Sequence, residues 1–210
     1  RYHNMFALVE SGSITKYFAG NKGVTIGATQ YPKSIFTLWS ESDRNAIGVY
    51  TVTVNQTNKK NEEWYVNTDI TYSFANNKVT GSYGTATAKA HADTLWTQAD
   101  SDNGFLPSDK EVGDVKTEGL KTVLIRDIKK QAAGILQETD WYIIRKADAD
   151  TAVPSSITTH RAAVRTKAAQ METFITNAAD TAALETLYTY TEQEDGSVTR
   201  PLGQFPTLED

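Results

Sequence analysis

Residues 120–137 read LKTVLIRDIKKQAAGILQ. Leu120, Val123, Leu124, Ile128, Ile135 and Leu136 recur on one face at the period of an α-helix, with Lys129 and Lys130 on the opposite side. Gly134 interrupts this pattern at a cost of ~1 kcal/mol relative to Ala. Beyond Pro154 a second helix carries the stripe Ile157, Val164, Ala168, Met171 and Ile175. A third begins after Asp180, a side chain suited to an N-cap, and turns Ala183, Leu184 and Leu187 inward. Between the first two helices lies Thr139-Asp140-Trp141-Tyr142-Ile143-Ile144, read as a linker. A short helix–linker–helix arrangement predicts an antiparallel hairpin. Asp140 is placed at the end of a helix and Trp141 between the two apolar stripes, buried.

Working outward toward the N-terminus, the pattern changes from helical to extended. Met5–Val9 and Ser13–Phe18 flank Ser11-Gly12, a two-residue hairpin link in which Gly accepts positive φ. That register sets Val9 opposite Ile14 and Phe6 opposite Tyr17. Val24–Ile26 and Thr29–Tyr31 suggest a second hairpin around Gly27-Ala28. Ser40, with Asp43 three residues on, predicts a short capped helix that stops at Gly48. Val49–Val54 alternates as a strand, and Trp64–Phe74 with Lys78–Thr87 forms a hairpin around Asn76-Asn77. Gly81 and Gly84 predict a bulge or a close approach in its second arm.

The fold class that follows is α+β: an N-terminal, mostly antiparallel β module with one short helix (1–90) and a C-terminal helical hairpin module (120–190). Residues 91–119 hold seven acids (Asp93, Asp100, Asp102, Asp109, Glu111, Asp114, Glu118) against Lys110 and Lys116, with Pro107 and three glycines, and read as an acidic connector. Residues 191–210 read as a tail unless docked. The chain opens Arg1-Tyr2-His3-Asn4 without an initiator Met, and Met5 is a candidate start. Both polar ends are expected to lie against a neighbouring chain.

Composition narrows the function classes. The 210 residues are 39% hydrophobic and 22% charged, enough for a core and unlike a disordered chain. The net charge of -5 argues against a nucleic-acid partner, which asks for a basic face. No apolar run approaches a membrane span, and Met5–Val9 is too short for the core of a signal peptide. With Cys at 0, disulfides and thiolate chemistry are excluded.

Motifs for catalysis are missing. His3, His91 and His160 stand apart from other ligand-type residues, so no metal site is expected. There is no Gly-x-Ser-x-Gly, no Walker loop and no Gly-x-Gly-x-x-Gly. Glu62-Glu63 and Glu192-x-Glu194-Asp195 are neighbouring carboxylates at turn-like or tail positions and read as solvated charge; Asp69 lies on a Tyr/Thr-rich strand. No catalytic residue and no cofactor is expected. Trp64, Tyr65 and Tyr72 read as core packing plus a subunit contact, with stacking on sugar rings as the alternative. The basic helical run His160–Lys167, with Arg161 and Arg165, reads as a polar helix face or a dock for an acidic partner.

Two segments together carry a resemblance. Leu136-x-x-Thr139-Asp140-Trp141-Tyr142, then Arg145-Lys146-Ala147, Val153-Pro154 and Arg161-Ala162-Ala163-Val164-Arg165 resemble the C-terminal helical module of tailed-bacteriophage tail-assembly-chaperone and tail-fibre-associated proteins. In that module a "TDW" element is followed by a Pro and a "YRAALR"-type helix; His160 stands here where the family usually has Tyr. Met5–Val9, Tyr31-Pro32 and Ala46–Tyr50 are similar to a small N-terminal domain of such proteins. The resemblance covers about residues 5–55 and 120–188, and it assigns no catalytic residue. It implies a non-enzymatic structural or attachment protein of the tail tip, baseplate or fibres. Its partners would be other phage tail proteins, in a homo-oligomer or larger assembly, without nucleic acid or membrane. It would reside in the virion tail, and in the host cytoplasm during assembly. The alternatives are a transient assembly chaperone absent from the virion and a carbohydrate-binding receptor module. Trp64, Tyr65, Tyr72, Trp141, Tyr142, Arg161, Arg165 and the tail from Thr191 onward are the expected contact residues.

Overall fold

The computed structural model describes residues 5–208. His3 and the two extreme ends lie outside the described residues, so the expectation that the ends lie against a neighbour falls there too. The chain divides into two compact units, 1–87 and 88–210, and both strands (24%) and helices (36%) are present, an α+β fold.

Unit 1 opens with β1 (Phe6–Glu10) and β2 (Ser13–Phe18), then β3 (Val24–Ile26) and β4 (Thr29–Tyr31). A 3-10 turn (Lys33–Phe36), α1 (Glu41–Ala46) and β5 (Val49–Asn55) follow. The unit continues with β6 (Tyr65–Val66), β7 (Ile70–Ala75) and β8 (Lys78–Tyr83); β9 (Thr87–Ala88) spans its boundary. The β1–β2 hairpin turns at Ser11 and Gly12, both with positive φ, as a primed turn requires. Val9 pairs with Ile14, but Phe6 pairs with Phe18 rather than Tyr17. The cause is a bulge between Leu8 and Val9 that leaves Thr15 unpaired and shifts the rest of the register by one. Thr15 uses its hydroxyl instead, donating to Glu10 at 2.6 Å. α1 is capped by Ser40, whose hydroxyl accepts from the Asp43 N–H at 3.1 Å. It ends before Gly48, whose φ is +79°.

Five strands form one sheet in the order β2-β1-β5-β8-β7, all neighbours antiparallel except β5 and β8. Its two edges come together: the rings of Tyr17 on β2 and Tyr72 on β7 lie 5.2 Å apart. The curl needs a close approach at Gly81, where a Cβ would sit 2.7 Å from the Tyr72 ring. The glycine is thus covered by the aromatic across the strand pair. One face of β1, β2 and β5 packs Phe6, Leu8, Phe18 and Val49 against Ile35 and Phe36. Ala7, on the other face, is also fully buried, so β1 is covered on both sides.

Unit 2 holds β10 (Thr94–Leu95), α2 (Gln98–Asp102), β11 (Val115–Thr117), α3 (Leu120–Gln137), α4 (Asp140–Ala149), α5 (Ser155–Asn177) and α6 (Thr181–Tyr188). It closes with β12 (Thr191–Glu192) and β13 (Val198–Thr199). α3 and α5 are antiparallel: Lys121 donates to the Thr176 carbonyl (2.8 Å), Lys129 stands 3.5 Å from Glu172, and Arg161 reaches the Leu136 carbonyl (2.6 Å). Ile128 and Ala132 meet the predicted stripe of α5, every member of which is buried. Asp180 caps α6, accepting from the Ala183 N–H at 2.8 Å.

Segment 91–119, read from sequence as an acidic connector, carries regular structure and closes the start of α3. That helix has no cap of its own, because Gly119 occupies the N-cap. Its first donors are taken up from outside: Gly119 N–H by Asp93 (2.6 Å), Leu120 N–H by Ala90 (2.9 Å) and Lys121 N–H by His91 (3.0 Å). The Gly119 N–H and the Thr122 hydroxyl hold the Asp93 carboxyl below its ordinary range. Asp100 falls further, to about 2, through Lys116 and then Thr97.

Residues 191–208 are anchored on their own unit through Leu202, while most of them stay exposed. β12 and β13 pair, Leu202 is fully buried, and its N–H donates to the Leu187 carbonyl at 3.0 Å. The Arg200 guanidinium lies over the Tyr188 and Tyr190 rings at 5.1 and 5.2 Å. Burial of Leu202 offsets part of the ordering entropy that an isolated tail cannot recover.

Two glycine substitutions should act in opposite directions. At Gly119 a Cβ would meet the Ala92 backbone, which cannot yield like a side-chain tip, so Gly119→Ala should destabilise by about 2–3 kcal/mol. At Gly134 a Cβ meets nothing within 4 Å, so Gly134→Ala should stabilise by about 0.5–1 kcal/mol. Urea melts of the two variants check both signs.

Candidate functional site

The TDW element and the α5 helix meet at one side chain. Arg161 on α5 is 7% exposed. Its Nη1 donates to the Leu136 carbonyl (2.6 Å) and the Thr139 hydroxyl (2.7 Å), and its Nη2 to Asp140 Oδ1 (2.8 Å). Thr139, itself buried, donates its hydroxyl to the Leu136 carbonyl at 3.1 Å. The Leu136 carbonyl at the end of α3 already accepts from the Thr139 N–H (3.1 Å) and hydroxyl, and the guanidinium ties this acceptor to the first residue of α4. This corrects the reading of Arg161 as a dock for an acidic partner: its charge is spent internally. Arg165, one turn on, is exposed.

Residues 139–144 are not a linker. Asp140 begins α4, and Asp150 ends it at a φ of 50° in the left-handed region, which short Asx side chains tolerate. α4 buries none of its residues. Trp141 is 50% exposed, a correction to its expected burial, and Ile143 (45%) and Ile144 (66%) are also open. Trp141 is not loose. Its ring stacks on Tyr142 with centroids 3.8 Å apart, and Arg145 lies 4.7 Å from one ring and 5.4 Å from the other. The Arg145 Nε is buried there without a hydrogen-bond partner. Trp, Tyr and Arg, held in one stack beside two exposed isoleucines, are the residue types that dominate binding energy at protein interfaces.

The other expected contact residues lie in unit 1. Trp64 is 2% exposed and belongs to the core, as the core-packing part of its reading expects; its expected role as a contact residue and the sugar-stacking alternative are corrected. Tyr65 is half-buried with the Lys60 ammonium 5.8 Å from its ring. Tyr72 is half-buried against Tyr17 and over Gly81. The three do not form an open aromatic platform. Glu63, Asp69, Glu192 and Glu194 are exposed, Glu62 stands 3.9 Å from Lys59, and Asp195 accepts from Ser197 at 2.6 Å. His160 is buried in α5. Among the described residues no group of three His, Asp or Glu stands close enough to hold a metal ion, and no helix is long and apolar enough to cross a membrane. The signal for α4 was present in the sequence: Trp141, Ile144 and the Thr139-Asp140 start fit a helical turn.

No protein-family model matches this chain, and no curated protein or solved structure matches it either.

Arg161→Ala should destabilise unit 2 by about 2–3 kcal/mol, because it removes three charge-assisted hydrogen bonds that join α5 to the end of α3 and the start of α4. Asp140→Asn should cost about 1 kcal/mol or less, since that carboxylate is half-exposed and water replaces its partner. Trp141→Ala should cost below about 1 kcal/mol, unlike a buried aromatic. Thermal melts of the three variants rank these effects.

Acid should weaken the same unit. Asp93 and Asp100 titrate lower in the fold than in the unfolded chain, so their stabilisation is complete above the ordinary carboxyl value of 3.8 and is lost as pH falls from there toward about 2. Asp100→Asn should flatten the acid limb of a stability-versus-pH curve measured by urea midpoint, and a limb as steep as the parent's would rule Asp100 out as a contributor.

Proposed function

We propose that this chain is a non-enzymatic component of a bacteriophage tail apparatus, at the tail tip, baseplate or fibres, acting through protein–protein contacts. The observation that carries the reading is α4: a helix that buries nothing of its own and offers a pre-stacked Trp141–Tyr142–Arg145 group beside Ile143 and Ile144. Side chains already held in place lose little entropy on binding. The resemblance in residues 136–165 supports the same reading, because the Thr139, Asp140 and Arg161 positions that carry it are those that fix the start of α4. The partner would be another tail protein offering an apolar pocket, with carboxylates facing Arg145 and Lys146. A stable contact buries at least ~1,000 Å² in all, so such a partner would reach past α4 onto neighbouring surface. The chain would reside in the virion tail and, before that, in the host cytoplasm.

An exposed apolar helix also suits a transient assembly chaperone, and the location of the protein separates the two readings. The structural reading expects the chain in purified virions at a fixed copy number. Recovery only with unassembled tail proteins would replace it with the chaperone reading. In either case the double change Trp141→Ala/Ile144→Ala should reduce co-purification with tail proteins by ~10-fold or more, the effect of losing one interface hot spot, with melting close to the parent. Undiminished co-purification would remove α4 from the contact.

A further inference from the structure

The β2–β3 loop of unit 1 borders two adjoining clefts. One, of about 320 Å³, lies over Phe6 and Phe36, with Lys33 on its wall. The other, of about 590 Å³, runs along Lys16 to Thr25, including Lys22. They share Ala19, Gly20 and Asn21. No Asp or Glu lines either cleft, although the chain as a whole is acidic at -5. Lys16, Lys22 and Lys33 make no ion pair among the described residues.

The loop of residues 19–23 approaches its neighbours closely at two glycines. Gly20 has φ +68°, and a Cβ there would lie 2.8 Å from the Phe6 ring. A Cβ at Gly23 would lie 2.8 Å from the Tyr31 carbonyl oxygen. Among the described residues no backbone N–H from Ala19 to Gly23 donates to a backbone carbonyl. A run of amides without backbone acceptors, flanked by ammonium groups that have no ion pair (Lys16 lies 5.6 Å from the Phe18 ring) and with no carboxylate in the lining, attracts negative charge. The apolar floor is the Phe6–Phe36 ring pair, with centroids 4.7 Å apart. Both rings belong to the core, at 3% and 7% exposed, so the cleft gives the uncharged part of a ligand a narrow apolar contact at its bottom.

We infer that these clefts bind a small organic anion. Its carboxylate or phosphate group is held by Lys16, Lys22, Lys33 and the amides of residues 19–23, and the rest of the molecule lies against Phe6 and Phe36. This site is separate from the α4 surface and does not depend on the tail-apparatus reading.

Amide-resolved NMR titration of the full chain at low ionic strength tests it, with inorganic phosphate, glucuronate and neutral glucose as probes. The site predicts saturable shifts at residues 19–23 with both anions, further shifts at Phe6 and Phe36 with glucuronate alone, and none with glucose. Binding should weaken ~10-fold or more when Lys16, Lys22 and Lys33 are all changed to Gln, and should fall steeply with added salt. The exposed single change Lys22→Gln serves if the triple variant does not fold, and should weaken binding about 3-fold. Three results would each overturn the inference: no saturable shift with either anion, equal shifts with glucose, or unchanged affinity in a folded lysine variant.

Discussion

The helical unit depends on what Arg161 does. A helix that stops leaves carbonyls without partners, and a crossover that must turn sharply has few ways to cover them. Here the Thr139 N–H and hydroxyl cover the Leu136 carbonyl, and a guanidinium from the facing helix adds a third bond to it, steadies Thr139 and ties down Asp140, the first residue of the next helix. The planar fork of Arg reaches three acceptors at once, which an ammonium does not match geometrically. α4 is fixed at its start by polar bonds, and within it Tyr142 and Arg145 are half-buried. Its Trp141, Ile143 and Ile144 are left outside. A surface that would normally be buried becomes the most distinctive exposed feature of the unit.

α3 shows the same dependence at its other end. Gly119 brings no side chain to its N-cap, and the first three donors are satisfied by residues 90–93. Both ends of α3 are therefore bonded by parts of the chain distant in sequence. The acids of residues 91–119 act singly: Asp93 on a helix start, Asp100 on Lys116 and on the cap of α2, and Glu118 on Arg126 at 2.8 Å. What looks like diffuse negative charge along the sequence is a set of separate hydrogen-bond acceptors in space.

Unit 1 reaches closure by a different route. Its five strands curl until Tyr17 and Tyr72 touch, and Gly81 makes room for the ring that bridges the edges. The two edges meet through these rings, and among the described residues no backbone pairing joins β2 to β7. The β3–β4 hairpin, the 3-10 turn and α1 supply the second layer over Phe6, Leu8 and Phe18. The same stretch leaves the lysine-lined clefts beside the β2–β3 loop.

Much of this was legible in the chain itself. The stripe of α5, the Ser40 and Asp180 caps, the Ser11-Gly12 and Asn76-Asn77 turns and the α+β class follow from period, capping chemistry and positive φ, all of which act within a few residues. Tertiary structure decided the rest. The Thr15 bulge moved Phe6 opposite Phe18, burial took Trp64 and Arg161 off the surface, and Trp141 went to solvent instead of the core. Leu202 drew the tail onto its own unit. The placing of Arg161 and the closing of α3 turn on partners that arrive from 20 or more residues away, Arg161 for Thr139 and Asp93 for Gly119. Local propensity carries no information about such distant partners, because the free energy of burying a side chain belongs to the packed arrangement and not to the residue.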